Sequence, residues 1–469
     1  MTSATVKQAG RTSWSISQIL EVGATSVVLG LVDGGLAALH PHWAAAAMAI
    51  VVLAAAGIFV RVLGWRVGLA VLLIVTCLID RNTFPVGGVN IRPEQIAGIL
   101  TLLTFGALAL RSKRDLHIRP DRIELALLAW FAVALASSVL SAPHRAASVK
   151  ILALLMVSSL ALFLPRRLVA DRSEDLERVI GWALFAFTFE GVYASLMYYI
   201  HLFGPTIAIS LNSATGHLNA YGTLWEPNAL GAISGAGAVA WAFLGPRYFS
   251  HSWIGVAICL TACVASFTRA VWLAVIFVIV LSLLTPVRRR IDLRNLGLGV
   301  LSASPFLAWI FVSDRLGNYS VKGLSNSVGN AADILGRLYQ FGPALADLKR
   351  KPILGAGIDT FGQLHILEGK PEHLGNLELL VLHDTGVLGL LVFAAFGAGI
   401  VVAAWRCREN PIVLGLAAMD LVILIANQAT EALELMITWL MIGLLLAAID
   451  AAKQVSPPSS VRTGRYTGS

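Results

Sequence analysis

Apolar runs of about twenty residues recur along most of this chain, and that repetition limits its fold more than any other feature. Within 469 residues they give about fourteen candidate membrane helices. They lie at 19–40, 43–63, 67–79, 95–110, 122–140, 149–164, 176–202, 228–244, 252–267, 270–284, 293–312, 377–405, 411–428 and 432–451. The third run is short and can be read with the second as one broken unit, so the expected count is about 12–14. Hydrophobic residues make up 57% of the chain and charged residues 13%, which excludes an ordinary soluble domain. The expected fold is an all-α polytopic integral membrane protein with one large helical extracytoplasmic loop. Four cysteines, Cys77, Cys259, Cys263 and Cys407, lie in or beside these runs without metal-ligand spacing, so packing is their expected role.

Loop charge orients the runs. Alternate connections are basic, at 61–66, 111–122, 166–178, 287–294 and 406–408. The weaker 246–251 connection and the tail, with Lys453, Arg462 and Arg465, fall on the same side. The positive-inside rule makes that side cytoplasmic, with both termini inside. The net charge of +8 therefore belongs to orientation and to contact with anionic membrane lipids, and no nucleic acid partner is expected. The organisation that follows is a cytoplasmic segment 1–18, a helix bundle 19–312, an outer cap 313–376, C-terminal helices 377–452 and a disordered tail 453–469. The polar first segment is not expected to be part of a cleaved signal peptide.

The segment 313–376 is far longer than an ordinary connection. Ile334, Leu338, Phe341, Leu345 and Leu348 alternate at spacings of four and three, one apolar helical stripe. Gly342-Pro343 is expected to kink or split that helix. Arg337 and Gln340 lie off the stripe, and Lys349, Arg350 and Lys351 suit its negative dipole end. Pro352-Ile-Leu-Gly-Ala-Gly357 then supplies a rigid turn. Together these describe a cap on the membrane surface, over a site that the helices below complete.

Polar residues gather in the outer connections. Arg269 stands where two apolar runs meet with almost no loop between them. Its plain reading is an interfacial snorkelling arginine; its functional reading is a fixed fork for phosphate, shared with Arg337. His217, Asn219 and Tyr221 come from 204–227, and Glu372, His373, Asn376 and Glu378 from the end of the cap. His383, seven residues beyond Asn376, shares its helix face, with Asp384 adjacent. The outer loops hold no DxD pair and no His-x-x-x-His, so neither a metal nor another cofactor is expected, and arginines are left to stabilise anionic charge. Asp33, Glu190 and Asp420 lie within spans, where charge can mark a transport path, so a lipid-glycan flippase or transporter is the rival class. Concentration of polar groups at one outer rim favours an enzyme.

Several segments resemble one family. Thr268-Arg269-Ala-Val-Trp-Leu273 resembles the Ser/Thr-Arg segment that opens a span in bacterial O-antigen ligases and related polysaccharide polymerases. Gly336-Arg337, the turn Pro352 to Gly357, and Phe361 resemble its loop pattern. Asn376, Leu379, Leu382, Asp384, Gly386 and Gly389 resemble the start of its next span, and Gly222-Thr223 with Pro227-Asn228 an earlier signature. The resemblance implies a membrane-embedded, metal-independent C-type glycosyltransferase. It would move a glycan from undecaprenyl pyrophosphate to a sugar hydroxyl at the periplasmic face of the bacterial inner membrane. The acceptor is a lipid A core in a ligase, or a carrier-linked glycan in an O-antigen or exopolysaccharide polymerase. Arg269 and Arg337 would bind the pyrophosphate, with Asn376, His217, Asn219 and Tyr221 as further substrate contacts. Two positions depart from the pattern: Gly375 stands where the family commonly has His, and Asn219 where it often has Arg. The general base would then be His383 or His373, with Asp384 beside the former.

Overall fold

A computed structural model of the chain describes residues 15–36, 41–79, 83–86, 89–111, 120–201, 209–211, 218–224, 226–287, 291–316, 331–367, 370–371, 374–428, 433 and 435–455. Its helices are α1 (Ile16–Leu36), α2 (Pro41–Leu63), α3 (Trp65–Leu78), α4 (Pro93–Arg111), α5 (Arg122–Leu140) and α6 (Arg145–Ser158). They continue with α7 (Leu160–Val169), α8 (Ser173–His201), α9 (Pro227–Tyr248), α10 (Trp253–Ala265), α11 (Arg269–Leu284) and α12 (Leu293–Leu316). The last are α13 (Ala331–Arg350), α14 (Phe361–Leu364), α15 (Leu377–Arg406), α16 (Pro411–Ala426) and α17 (Met436–Val455). Among the described residues, 7 helical stretches are long and apolar enough to cross a membrane, and shorter apolar helices lie beside them. The chain is a polytopic helical membrane protein.

Helix ends follow local chemistry. Asp121 and Glu124 form a reciprocal capping box at the start of α5. Asn410 accepts the N–H groups of Ile412 and Val413 at the start of α16, with Pro411 in the first turn, where its missing N–H costs nothing. The second and third expected spans are separate helices, hinged at Gly64 (φ 81), and Gly68 lies directly against the backbone of Phe59. The sixth expected span breaks at Ser159 into α6 and α7.

Helix α9 is the centre of the bundle and is buried along nearly its whole length. Its glycines let neighbours approach closely, the usual device of membrane helix pairs. A Cβ at Gly235 would stand 2.5 Å from Val271 of α11, and one at Gly231 2.7 Å from the Ser266 hydroxyl.

The two ends of the bundle differ. At one end, acids meet the basic loops: Arg166 pairs with Asp121 (2.6 Å), Glu124 (3.0 Å) and Asp450 (2.5 Å), tying α5, α7 and α17 together. Arg167 pairs with Glu124, Arg247 with Glu177 and Arg66 with Asp171 at the same end. At the other end lie the described parts of the connections after α3, α5, α8, α10, α14 and α16. Three small antiparallel hairpins lie in these connections: β1 (Phe84–Val86) with β2 (Val89–Ile91), β3 (Ile209–Leu211) with β4 (Leu218–Ala220), and β5 (Ile366–Leu367) with β6 (Lys370–Pro371). Two- and three-residue strands carry too little alternation to be read from sequence.

Of the expected kink or split at Gly342-Pro343, the split is absent: α13 runs as one helix through these residues. Gly342 has no Cβ to meet the proline ring, which removes part of the usual penalty. Its apolar stripe is also not the face the bundle covers: Phe341 and Leu345 are 39% and 43% exposed, whereas Ala344 is buried. Gln340, Ala344 and Asp347, three to four residues apart, form the packed face. The side chains of Ile334 and Leu338 lie outside the described residues.

Candidate functional site

The site is built on an interruption in α15. Gly386 leaves helical geometry (φ 67, ψ −171), which frees backbone groups on either side of it. The turn after α13 takes up four of them. Ala356 N–H donates to the His383 carbonyl (2.8 Å) and Gly357 N–H to the Asp384 carbonyl (3.0 Å). The N–H groups of Val387 and Leu388 donate to the carbonyls of Pro352 (2.9 Å) and Ile353 (3.3 Å). Interrupted backbone inside an apolar span is tolerable only when protein supplies such partners. A Cβ on Gly386 would stand 2.2 Å from the Ile353 oxygen, and one on Gly355 2.5 Å from the Gly386 nitrogen. Two segments singled out in the sequence, the Pro352–Gly357 turn and the Asp384-x-Gly386 stretch, are thus the two halves of one joint.

Side chains lock that joint. Asp384 accepts the Asp359 N–H through Oδ2 (3.0 Å), and its Oδ1 lies 2.8 Å from His383 Nδ1. His383 Nε2 faces Asp347 Oδ2 of α13 at 3.4 Å, and the same oxygen lies 2.7 Å from His365 Nε2. The Phe361 ring stands edge-on to His383 and packs against His365. The His383 side chain is 0% exposed, with a carboxylate at each ring nitrogen. From the bundle, Ser137 donates to the Asp384 carbonyl (2.6 Å), Ser148 to the Ile358 carbonyl (2.8 Å), and Lys351 reaches the Ser141 carbonyl. Asp359 holds φ 54, unusual for a residue with a side chain, so the turn is fixed against a local preference.

A second joint holds Gly222-Thr223. Glu190, buried in α8, accepts the Thr223 N–H through Oε1 (2.8 Å), while the Thr223 hydroxyl lies 2.6 Å from Oε2. That hydroxyl also reaches the Leu78 carbonyl at the end of α3. Gly222 sits at φ 63 with the Glu190 carboxylate against it. Glu190 therefore anchors the turn that follows β4, which carries Asn219 and leads into the half-buried Tyr221.

Arg269 is the first residue of α11 and is half-buried. The preceding turn is tight, with Phe267 at φ 53, and the Thr268 hydroxyl is 3.2 Å from the Pro227 carbonyl and 3.3 Å from Asn228 Oδ1. Arg337 lies on α13 one turn before Gln340, whose Oε1 accepts the Gly375 N–H (3.3 Å). Asn376 caps α15 by accepting the Leu379 N–H (2.9 Å) and donates to Gln428 at the end of α16 (3.0 Å). Helix α16 packs in turn on α11. The backbones carrying Arg269 and Arg337 thus belong to elements joined at one end of the bundle. The Arg337 side chain, His217 and His373 lie outside the described residues.

Hollows lie among the described residues near this end. A cleft of about 390 Å³ is lined by Asn90, Arg92, Lys150, Asp359 and Gln363 among others. A smaller one shares its Ile151, Leu155 and Asp359 and reaches Asp384 and Leu433. Another is lined by Leu435, Glu226 and Asn228, the last beside the Thr268 turn.

Residues 254–394 match the family profile described as O-antigen ligase. The chain carries an O-antigen ligase domain. It takes in α10, the Thr268-Arg269 turn, the whole cap and both halves of the Gly386 joint. Enzymes of this family transfer glycans, in general from lipid-linked substrates. No curated protein matches the chain significantly.

Sequence reading missed Asp347 and His365 as partners of His383, because the three lie on separate elements with no shared periodicity. The role of Glu190 was equally hidden. Its signal, an acid alone in an apolar run, is the same for a turn anchor as for a transport path. Asp420, flagged on the same ground, has no hydrogen-bond partner among the described residues, and the Asp33 side chain lies outside them.

Proposed function

We propose that this O-antigen ligase domain moves a glycan from undecaprenyl pyrophosphate to a sugar hydroxyl of a lipid A core, without a metal ion, at the periplasmic face of the inner membrane. The observation that carries this reading is the docking of the cap's Pro352–Gly357 turn into the interrupted α15, which ties α13, with Arg337, to the end where Arg269 opens α11. The two guanidinium groups bind the pyrophosphate by charge-assisted hydrogen bonds and offset charge growing on its bridging oxygen. The acceptor hydroxyl attacks the anomeric carbon, the bond to the phosphate oxygen breaks with its electron pair leaving on the pyrophosphate, and a base takes the hydroxyl proton. Holding both lipid-linked substrates at one rim supplies much of the rate through orientation.

His373, His383 and Asp384 divide this work. The carboxylate at each nitrogen of His383, and its complete burial, support a positioning role for His383 and Asp384, which hold the cap. His373 then takes the proton. Asn376, Asn219, Tyr221 and His217 contact the sugars or the carrier. The ion-paired basic end of the bundle is cytoplasmic by the positive-inside rule, with both termini there.

The test is a deletion strain complemented with wild type, Arg269→Ala or Arg337→Ala. Wild type restores glycan-capped lipid A; each variant accumulates in membranes and leaves carrier-linked polymer untransferred. Capping by both variants sinks the assignment. Accumulation of single carrier-linked repeats in the deletion strain would instead identify a polymerase.

A further inference from the structure

The side chains that lock the Gly386 joint need one proton more than their ordinary states supply. Three nitrogen–oxygen contacts meet there. His383 Nδ1 lies 2.8 Å from Asp384 Oδ1, His383 Nε2 lies 3.4 Å from Asp347 Oδ2, and His365 Nε2 lies 2.7 Å from that same Asp347 oxygen. Each contact attracts only with a proton between its two atoms. A neutral imidazole carries one N–H and an ionised carboxylate none, so two neutral rings fill at most two of the three contacts. The third would then set a ring lone pair against a carboxylate oxygen. The His383 side chain is fully buried, so no water screens that repulsion. The other Asp384 oxygen is already taken by the Asp359 N–H.

The cluster exists only while the cap is docked. Asp347 comes from α13, His365 from the residue after α14, and His383 and Asp384 from α15. Among the described residues, the ion pairs made by His383 are those with Asp347 and Asp384. Lys351 is turned to the Ser141 carbonyl, and α5 and α6 bring the uncharged hydroxyls of Ser137 and Ser148 to the joint's backbone. The His365 side chain is 28% exposed, which gives a proton a way in from water through Asp347.

We propose that His383, Asp347, Asp384 and His365 form a site for one additional proton, whose occupancy latches the cap onto the bundle. Separated by undocking, the two rings are ordinary histidines, neutral above about pH 6.5. The docked state therefore holds more protons than the undocked one, and raising pH favours undocking. The effect is fully latched below that pH and lost as pH rises, until the docked cluster itself releases its proton. Because α13 also carries Arg337, the proton ties the placement of that residue to the pH on the cap side. The inference concerns the latch and stands or falls apart from the glycan-transfer reading.

The test is limited chymotrypsin digestion of the full chain in nanodiscs from pH 6 to 9. Cleavage is followed after Phe361, which is buried between the two rings in the docked cap. Each rate is divided by that of a free peptide spanning 355–370 at the same pH, which removes the protease's own pH dependence and leaves the open fraction. In wild type this ratio should rise at least about tenfold across the range, the size of one charge-assisted hydrogen bond, with a slope of no more than about tenfold per pH unit. His365→Gln should keep the rise, since His383 still faces two carboxylates. His383→Gln should flatten it, and so should Asp347→Asn, whose amide donates to both rings without an added proton. A flat wild-type ratio, loss of the rise in His365→Gln, or a full rise in both His383→Gln and Asp347→Asn overturns the proposal.

Discussion

Replacing Gly222 by alanine probes the Glu190 joint with little ambiguity. The new Cβ would stand 1.8 Å from Glu190 Oε1, which already accepts the Thr223 N–H at 2.8 Å. It must also adopt φ 63, which costs a residue with a side chain about 1–2 kcal/mol. If the carboxylate swings away, the Thr223 hydrogen bond to it is lost, at about 1.5–3 kcal/mol. The expected destabilisation is therefore about 2.5–5 kcal/mol. Glu190→Ala removes the oxygen that the methyl meets, so the second part of the cost cannot be counted twice. A double-mutant cycle on detergent-solubilised protein, read by equilibrium unfolding in a mild denaturant series, should show the double variant at least about 1 kcal/mol more stable than additivity requires. Additivity within about 0.5 kcal/mol would mean that Gly222 and Glu190 act independently, and the joint as described would be wrong.

Other outcomes follow from the same contacts. Gly386→Ala, whose Cβ would meet the Ile353 oxygen at 2.2 Å, should undock the cap, measured as faster protease cleavage between α13 and α15 with the bundle intact; unchanged cleavage contradicts the joint. Asp347→Asn should slow glycan transfer without abolishing it and should accelerate the same cleavage, since Asp347 faces both His365 and His383; full activity with faster cleavage would separate the clamp from function. At the opposite end, burial raises the Asp121 carboxyl, but hydrogen bonds from Arg166 and the Glu124 N–H, with the Arg166 charge, outweigh it and hold the carboxyl below its ordinary value. A depressed carboxyl contributes stability above the unfolded value of about 3.9 and loses it as pH falls through the folded value. The thermal-stability gap between wild type and Asp121→Asn should accordingly be flat from about pH 5 to 8 and close below about pH 4; a gap that grows on acidification would contradict this.

What the sequence disclosed depended on how local the physics was. Apolar runs mark membrane helices because each residue's transfer into lipid is an independent local term, so most spans emerge near their observed places. The cap helix was legible for a related reason, its 3.6-residue period, although periodicity did not say which face packs: Phe341 and Leu345 remain exposed while Ala344 is buried. The helix interruption at Gly386 was invisible, since a glycine inside an apolar run reads as a tolerated helical residue until its partner, the Ile353 carbonyl, is known. His383 and Asp384 were picked out as a suspicious pair, and they are a pair. Their other partners, Asp347, Asp359 and Ser137, come from the cap and from α5, and only the fold brings them together.

The decisive measurement is glycan transfer by the purified chain in liposomes, supplied with undecaprenyl-pyrophosphate-linked glycan and a lipid A core acceptor in the presence of a chelator. Wild type should form the glycosylated lipid, and Arg269→Ala and Arg337→Ala should each fall by at least about a hundredfold, the scale seen when one group stabilising transition-state charge is removed. Transfer that requires added divalent metal, or that survives in both arginine variants, would contradict the proposed chemistry.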